Sequence, residues 1–143
     1  MFAHPGRILV LSMILVALPA RGEQVSQTRP VRDAVEGVWR LEKIVRSSGS
    51  LETQGGFIFQ GGYYSAAVNY SQEGTQTNIS QFGTYVLDGN VLSLVPSVQA
   101  STRGQVVVYD PEPPFSMEVS VTGEEMKAVA GKDGTTFVFR RLR

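Results

Sequence analysis

The feature that most restricts the fold of this chain is an alternation of apolar and polar residues with a period of two. It is clearest in the segment Phe115–Thr122, where apolar residues occupy the odd positions and polar residues the even ones. Successive side chains of a strand point to opposite faces, so this pattern predicts a strand with one dry and one wet face. No segment after residue 22 has a sustained helical stripe. The chain is therefore predicted to be all-β.

Further strands are predicted where the same alternation recurs between glycine-rich turn signals. Short, sequential antiparallel strands can form a sandwich or a closed barrel, and closely spaced turns favour an up-and-down order. We expect a single up-and-down antiparallel β-barrel of about eight to ten strands. The further predicted strands are Gly37–Arg46, Gly56–Gln60, Tyr63–Tyr70, Ile79–Leu87, Val91–Val95, Gln105–Tyr109, Glu125–Ala130 and Thr135–Leu142.

The N-terminus has the three-part layout of a secretory signal. A basic start is followed by the apolar run Ile8–Leu18 and then by the small residues of Pro19–Gly22. Spanning a membrane takes about twenty apolar residues, so the run favours a cleaved signal over an uncleaved anchor. Cleavage is expected before Glu23, or alternatively after Ala20. Residues 1–22 are thus predicted to be a signal peptide, 23–34 a flexible leader and 35–143 the barrel domain, with no stable membrane anchor after cleavage.

Charge and cysteine content restrict the cellular compartments and the binding partners to be expected for this protein. Cleavage would remove Arg7 and Arg21 and no acidic residue, leaving eleven basic and thirteen acidic side chains, a net charge of about −2. Nucleic acid is not expected as a partner, because such binding needs clustered positive charge. The chain has no cysteine, so disulfides cannot brace it. A secreted protein of a bacterial periplasm is the simplest interpretation.

Several short motifs together resemble the bacterial lipocalin-like barrels. Gly37-Val38-Trp39 is the G-x-W triplet that opens the first lipocalin strand, and similar pieces follow in order. These are Gly56–Phe59 with Gly62–Ala66, then Phe82–Tyr85, and finally Phe137–Arg141. The resemblance spans about Val35 to Leu142 and departs from the pattern over Pro96–Pro114.

The resemblance implies that Trp39 closes one end of the barrel and packs against an arginine of the last strand. Arg141 shares a face with Phe137 and Phe139 and is favoured over Arg140. This pairing needs an even number of strands. Gln105–Tyr109 is therefore read either as the continuation of a strand bent near Pro96, giving eight strands, or as one of ten. The segments Ser47–Gly55 and Ser71–Asn78 are predicted to be long loops at the opposite, open end.

The residue types available argue against most catalytic chemistry. His4, the only histidine, lies in the predicted signal peptide, and cysteine is absent. Histidine- and cysteine-dependent catalysis, zinc sites and histidine-bound haem are therefore not expected. The carboxylate pairs beside Gly123 and within Asp110–Glu112 are interpreted as solvated. We predict no catalytic residue, no metal site and no cofactor.

Tyrosines with an apolar ring and a polar tip suit an amphipathic ligand, although they could equally fill the barrel or cover its outside. The preferred hypothesis is a carrier of a small apolar or amphipathic ligand. The alternatives are a ligand-free envelope domain that binds an unknown protein partner, and an isomerase or cyclase that acts by shaping its substrate. Lys43, which alternation places on the face of Trp39, could meet a ligand acid group or be an exposed lysine. The predicted ligand-binding residues are Lys43, Tyr64, Tyr70, Tyr85, Met117, Phe137 and Phe139.

Overall fold

A computed structural model describes residues 34–131 and 133–143. The predicted signal peptide and the leader up to residue 33 lie outside them. Ala34 and Val35 have helical conformation, and the described residues contain no helix long and apolar enough to cross a membrane. The strands are β1 (Gly37–Arg46), β2 (Gly49–Gln60), β3 (Tyr63–Gln72), β4 (Thr75–Asp88), β5 (Val91–Arg103), β6 (Val106–Val108), β7 (Phe115–Thr122), β8 (Glu125–Ala130) and β9 (Thr136–Arg141).

Eight of these strands close into an antiparallel barrel with up-and-down order, which confirms the predicted fold class. β1 to β5 pair in sequence order, and β5 then pairs with β7. β7 pairs with β8, β8 with β9, and β9 with β1, which closes the ring. β6 stays outside this ring and pairs only with the last residues of β5. The even strand number is correct. The assignment of Gln105–Tyr109 to the ring is wrong, because its central residues form an additional hairpin strand.

β5 extends well beyond the predicted Val91–Val95 because a bulge accommodates Pro96. The register between β4 and β5 shifts between Phe82 and Gly83, where Pro96 faces Gly83. A bulge is one of the places where a strand tolerates proline. β5 pairs with β7 only over residues 91–94, and the rest of β5 continues to Arg103 without β7 beside it. The barrel wall is therefore split on this side.

The two long loops predicted at the open end are wrong. β1 and β2 are joined by a turn at residues 47–48, and β3 and β4 by a turn at residues 73–74. Most of Ser47–Gly55 and Ser71–Asn78 is strand. The ends of these strands rise above the packed core, so both faces are rich in polar residues and the alternation that signals a strand is weak.

The packed core occupies the half of the barrel next to the turns at residues 61–62, 89–90 and 123–124, which we call the closed end. There the inward side chains of opposite strands meet. Phe57 and Phe139 pack edge to face with ring centres 5.3 Å apart, and Phe59 and Tyr85 do so at 5.2 Å. The largest fully buried side chains are Trp39, Tyr64, Phe59, Phe139, Leu41, Leu92, Leu94 and Met126.

Candidate functional site

Trp39 and Arg141 form the plug of the closed end. The Trp39 side chain is fully buried, and the Arg141 guanidinium carbon lies 4.2 Å from the centre of its ring. The indole Nε1 donates to the carbonyl of Val35 at 2.7 Å. Arg141 donates to the carbonyls of Glu36, at 2.6 Å, and of Ala34. The contact expected from the G-x-W resemblance is therefore present, and it also fixes the residues that precede β1.

Gly37 is required by this plug. Its φ of +128° is a conformation that side-chain-bearing residues rarely adopt. A Cβ on Gly37 would lie 2.7 Å from Nη1 of Arg141, closer than two such atoms can approach. The glycine of the triplet thus leaves room for the arginine.

The opposite end of the barrel contains a cavity of about 310 Å³. This volume lies at the lower end of the usual range for small-molecule sites. Four polar residues, Arg46, Tyr70, Gln81 and Glu112, contribute to its wall. The remaining lining is apolar: Leu41, Ile44, Phe57, Ala66, Val68, Ile79, Phe115, Met117, Ala130, Phe137 and Phe139.

Four of the predicted ligand-binding residues line this cavity, namely Tyr70, Met117, Phe137 and Phe139. Tyr85 does not, since its hydroxyl lies at the closed end, 3.2 Å from the Glu36 carboxylate. Tyr64 is 1% exposed, and its ring packs in the core beside Phe57 and Phe59.

The remaining tyrosines lie on the outside of the barrel. Tyr63 stacks on Phe82 with ring centres 6.0 Å apart, and Tyr109 is 72% exposed. Tyrosine therefore serves three roles in this chain, as core, as cavity lining and as outer cover. Sequence alone left these roles open.

Of the two alternatives for Lys43, the exposed lysine is correct. Its prediction as a ligand-binding residue inside the barrel is wrong, because β1 contains a bulge. The pairing of β1 with β2 shifts register between Arg40 and Lys43. The pairing of β1 with β9 shifts register between Leu41 and Lys43. The residues after the bulge exchange faces, so Lys43 is exposed and Arg46 lines the cavity. The signal was present in the sequence, since the buried Leu41 and Ile44 are three positions apart rather than two.

A chain of hydrogen bonds, missed by sequence reasoning, crosses the wall where β5 leaves β7. Gln81 and Gln99 face each other on β4 and β5 and are 7% and 5% exposed. Gln81 Nε2 donates to Gln99 Oε1 at 2.8 Å, and the backbone N–H of Glu112 donates to the same oxygen at 3.1 Å. The Tyr64 hydroxyl completes the chain by donating to Gln81 Oε1 at 3.4 Å.

Burial raises the pKa of Tyr64 to about 12, and the negative charge of Glu112 contributes to the rise. Tyr64 therefore keeps its proton at neutral pH and acts as a hydrogen-bond donor. Every fully buried side-chain N or O atom in the described residues has a hydrogen-bond partner. The buried polar groups of this wall therefore have their hydrogen bonds satisfied within the protein. Gln81 is a polar residue in the lining of a mostly apolar cavity.

The cavity can contact the apolar groups of a ligand over most of its wall. It offers a few hydrogen-bonding and charged groups, which lie at its mouth. Within the described residues, no three histidine, cysteine or acidic side chains are grouped so that they could hold a metal ion. No model of a known protein family and no curated protein sequence matches this chain.

Proposed function

We propose that this protein is a lipocalin-like binding protein that holds one small apolar or amphipathic ligand in the open half of its barrel. The observation that carries the proposal is the cavity of about 310 Å³ above a tightly packed closed end. Eight-stranded barrels are either filled by their own side chains or able to hold one small ligand. Here the aromatic core fills only one half.

The cavity wall supports binding rather than catalysis. Of the four polar residues that line it, Gln81 is the buried one and is an amide, whereas Glu112 is exposed. Tyr64, which donates to Gln81 from the core, retains its proton well above neutral pH. A general acid or base works best with a pKa near the operating pH, and neither Gln81 nor Tyr64 meets that condition. The guanidinium of Arg46 offers only hydrogen-bond donors, which suits the binding of an acceptor group.

The binding site can be tested by blocking it. The purified protein is titrated with the neutral fluorophore 1-aminoanthracene, which brightens in apolar surroundings. Ala130 lines the cavity, whereas Ala100 is exposed on β5. We expect Ala130→Trp to weaken binding by at least about tenfold, which corresponds to about 1.4 kcal/mol, and Ala100→Trp to leave it unchanged.

Equal binding by both variants would place the fluorophore outside the cavity. Absence of binding up to millimolar concentration would contradict the carrier and favour the ligand-free alternative. That alternative would then be examined by searching for a protein partner that co-purifies.

We also propose that the protein is exported with residues 1–22 as a cleaved signal peptide and acts in the periplasm. The support is the basic start, the apolar run of limited length and the small residues before Glu23. The intact mass of protein from the periplasmic fraction of an expressing bacterium should correspond to cleavage near Ala20–Gly22. Recovery of the full-length chain in the membrane fraction would contradict this.

A further inference from the structure

A second recess, of about 320 Å³, adjoins the apolar cavity at the open end. Two residues, Arg46 and Tyr70, line both spaces. The two spaces therefore meet at these side chains. The apolar cavity lies on the side of the packed core, and the polar recess lies on the side of the open end. The recess is lined by Arg46, Tyr70, Gln72, Thr75, Thr77 and Arg103.

The two arginines approach the recess from opposite sides. Arg46 on β1 reaches across β2, and its Nη1 donates to the side-chain oxygen of Gln72 on β3 at 2.9 Å. Arg103 extends from β5, beside Thr77 of β4 in the register. The hydroxyl-bearing residues Tyr70 and Thr77 are cross-strand neighbours between them. Two cations and several hydroxyl groups thus surround one space.

The positive charge of this recess is not neutralised by its own lining. No carboxylate lines it, and among residues 34–131 and 133–143 neither arginine is in an ion pair. Of the acidic groups nearby, Glu112 lines the apolar cavity, and Glu73 is exposed in the turn between Gln72 and Thr75. Asp133 feels the charge of Arg46 only as a minor influence, and its carboxylate accepts a hydrogen bond from the Thr135 N–H at 3.0 Å.

We propose that the ligand is a single-chain anionic amphiphile whose carboxylate lies between Arg46 and Arg103 while its apolar chain fills the cavity. This inference rests on the proposed binding function and specifies its ligand class. A guanidinium matches a carboxylate with parallel charge-assisted hydrogen bonds, and hydroxyl groups can donate to the remaining lone pairs. The head group lies at the mouth, so it stays partly hydrated and its desolvation cost is small.

Three probes with the same ten-carbon chain test the head-group preference: decanoate, decan-1-ol and decyltrimethylammonium. Affinity is measured by displacement of 1-aminoanthracene and by calorimetry. We expect decanoate to bind about tenfold or more tighter than decan-1-ol, as a charge-assisted hydrogen bond would provide. Decyltrimethylammonium should bind weakest. The advantage of decanoate should shrink as salt is raised, because the recess is open to solvent.

Charge-removing variants locate the effect. In the double variant Arg46→Gln/Arg103→Gln, the preference for decanoate over decan-1-ol that the wild type shows should disappear, so that the two probes bind with equal affinity. Lys43→Gln is the matched control, since Lys43 is a cation of the same strand that is exposed on the outer side. It should leave all affinities unchanged. Circular dichroism and urea midpoints establish that the variants are folded.

Each remaining outcome is decisive. Equal affinity for decanoate and decan-1-ol in the wild type, or an undiminished preference in the double variant, would overturn the anionic head group and leave the binding function intact. Tighter binding of decyltrimethylammonium than of decanoate would overturn the proposed anionic head group and favour a cationic ligand. If 1-aminoanthracene and all three probes fail to bind, the proposed function itself is wrong.

Discussion

Replacing Trp39 by alanine removes the ring that closes one end of the barrel. The side chain is fully buried, its Nε1 donates to Val35, and the guanidinium of Arg141 lies on its face. The substitution therefore leaves a cavity, deprives the Val35 carbonyl of a donor and exposes the arginine to a void. These effects act on the same few residues, so they are not expected to be relieved separately.

The magnitude follows from the buried area. A buried aromatic side chain removes about 150 to 250 Å² from water, which at about 25 cal/mol per Å² is roughly 4 to 6 kcal/mol as an upper estimate. Substitutions of buried Phe or Trp by Ala cost about 3 to 5 kcal/mol in other proteins. We expect Trp39→Ala to lose about 3 to 5 kcal/mol. Trp39→Phe keeps an aromatic ring and should lose about 1 to 2 kcal/mol, mainly through the missing hydrogen bond.

The assay is equilibrium unfolding in urea followed by far-ultraviolet circular dichroism, since Trp39 is the only tryptophan and its fluorescence disappears in the variants. Tyr109→Ala, at a 72% exposed aromatic residue, is the control and should change stability by less than about 0.5 kcal/mol. The free energy of unfolding of a domain of this size is about 5 to 15 kcal/mol, so the loss in Trp39→Ala can be enough to prevent folding. In that case the prediction is tested with Trp39→Phe. Losses below about 1 kcal/mol for both would refute the plug.

Two further predictions concern the core and the backbone. Because the pKa of Tyr64 is raised to about 12 in the folded state, the unfolded tyrosine ionises first, near pH 10. Stability should therefore fall as the pH rises from about 10 to 12. Tyr64→Phe should show a smaller fall in urea midpoint between pH 9 and pH 11, and an unchanged fall would contradict the assignment. Gly37→Ala should lower stability by about 1 to 3 kcal/mol through its φ of +128° and its clash with Arg141. In thermal unfolding Gly131→Ala, where nothing lies near the added Cβ, should behave like wild type within about 0.5 kcal/mol, and equal losses would refute the clash.

The strands were predictable where one face packs on the core and the other meets water. Phe115–Thr122 coincides with β7 for this reason, and Gly37–Arg46 coincides with β1. The extended ends of β2, β3 and β4 were read as loops, because polar residues on both faces leave no periodic signal. A strand continuing past Pro96 was one of the two alternatives, but the continuation was assigned to Gln105–Tyr109 instead of the residues up to Arg103. A proline usually ends a strand, and here a bulge opposite Gly83 allows the strand to continue.

The candidate site was predictable in part. Tyr70, Met117, Phe137 and Phe139 lie in regular stretches, so counting by two from an apolar neighbour assigns them to the inside. Lys43 follows the irregular step in β1, and the same count gives the wrong face. Tyr85 was placed inside correctly, but its height along the barrel axis decides that it meets Glu36 rather than a ligand.

Local alternation and turn residues were sufficient to predict the all-β class and the up-and-down order, whereas the contact between Trp39 and Arg141 was expected only from the resemblance to lipocalin-like barrels. Three features became visible only in the folded barrel: which strands meet to close the ring, where the wall splits between β5 and β7, and that Arg46 and Arg103 share one recess. The physical reason is that alternation describes a strand relative to its own axis. Register, bulges and height along the barrel are set by pairing with residues far away in the chain, and these determine what a cavity contains.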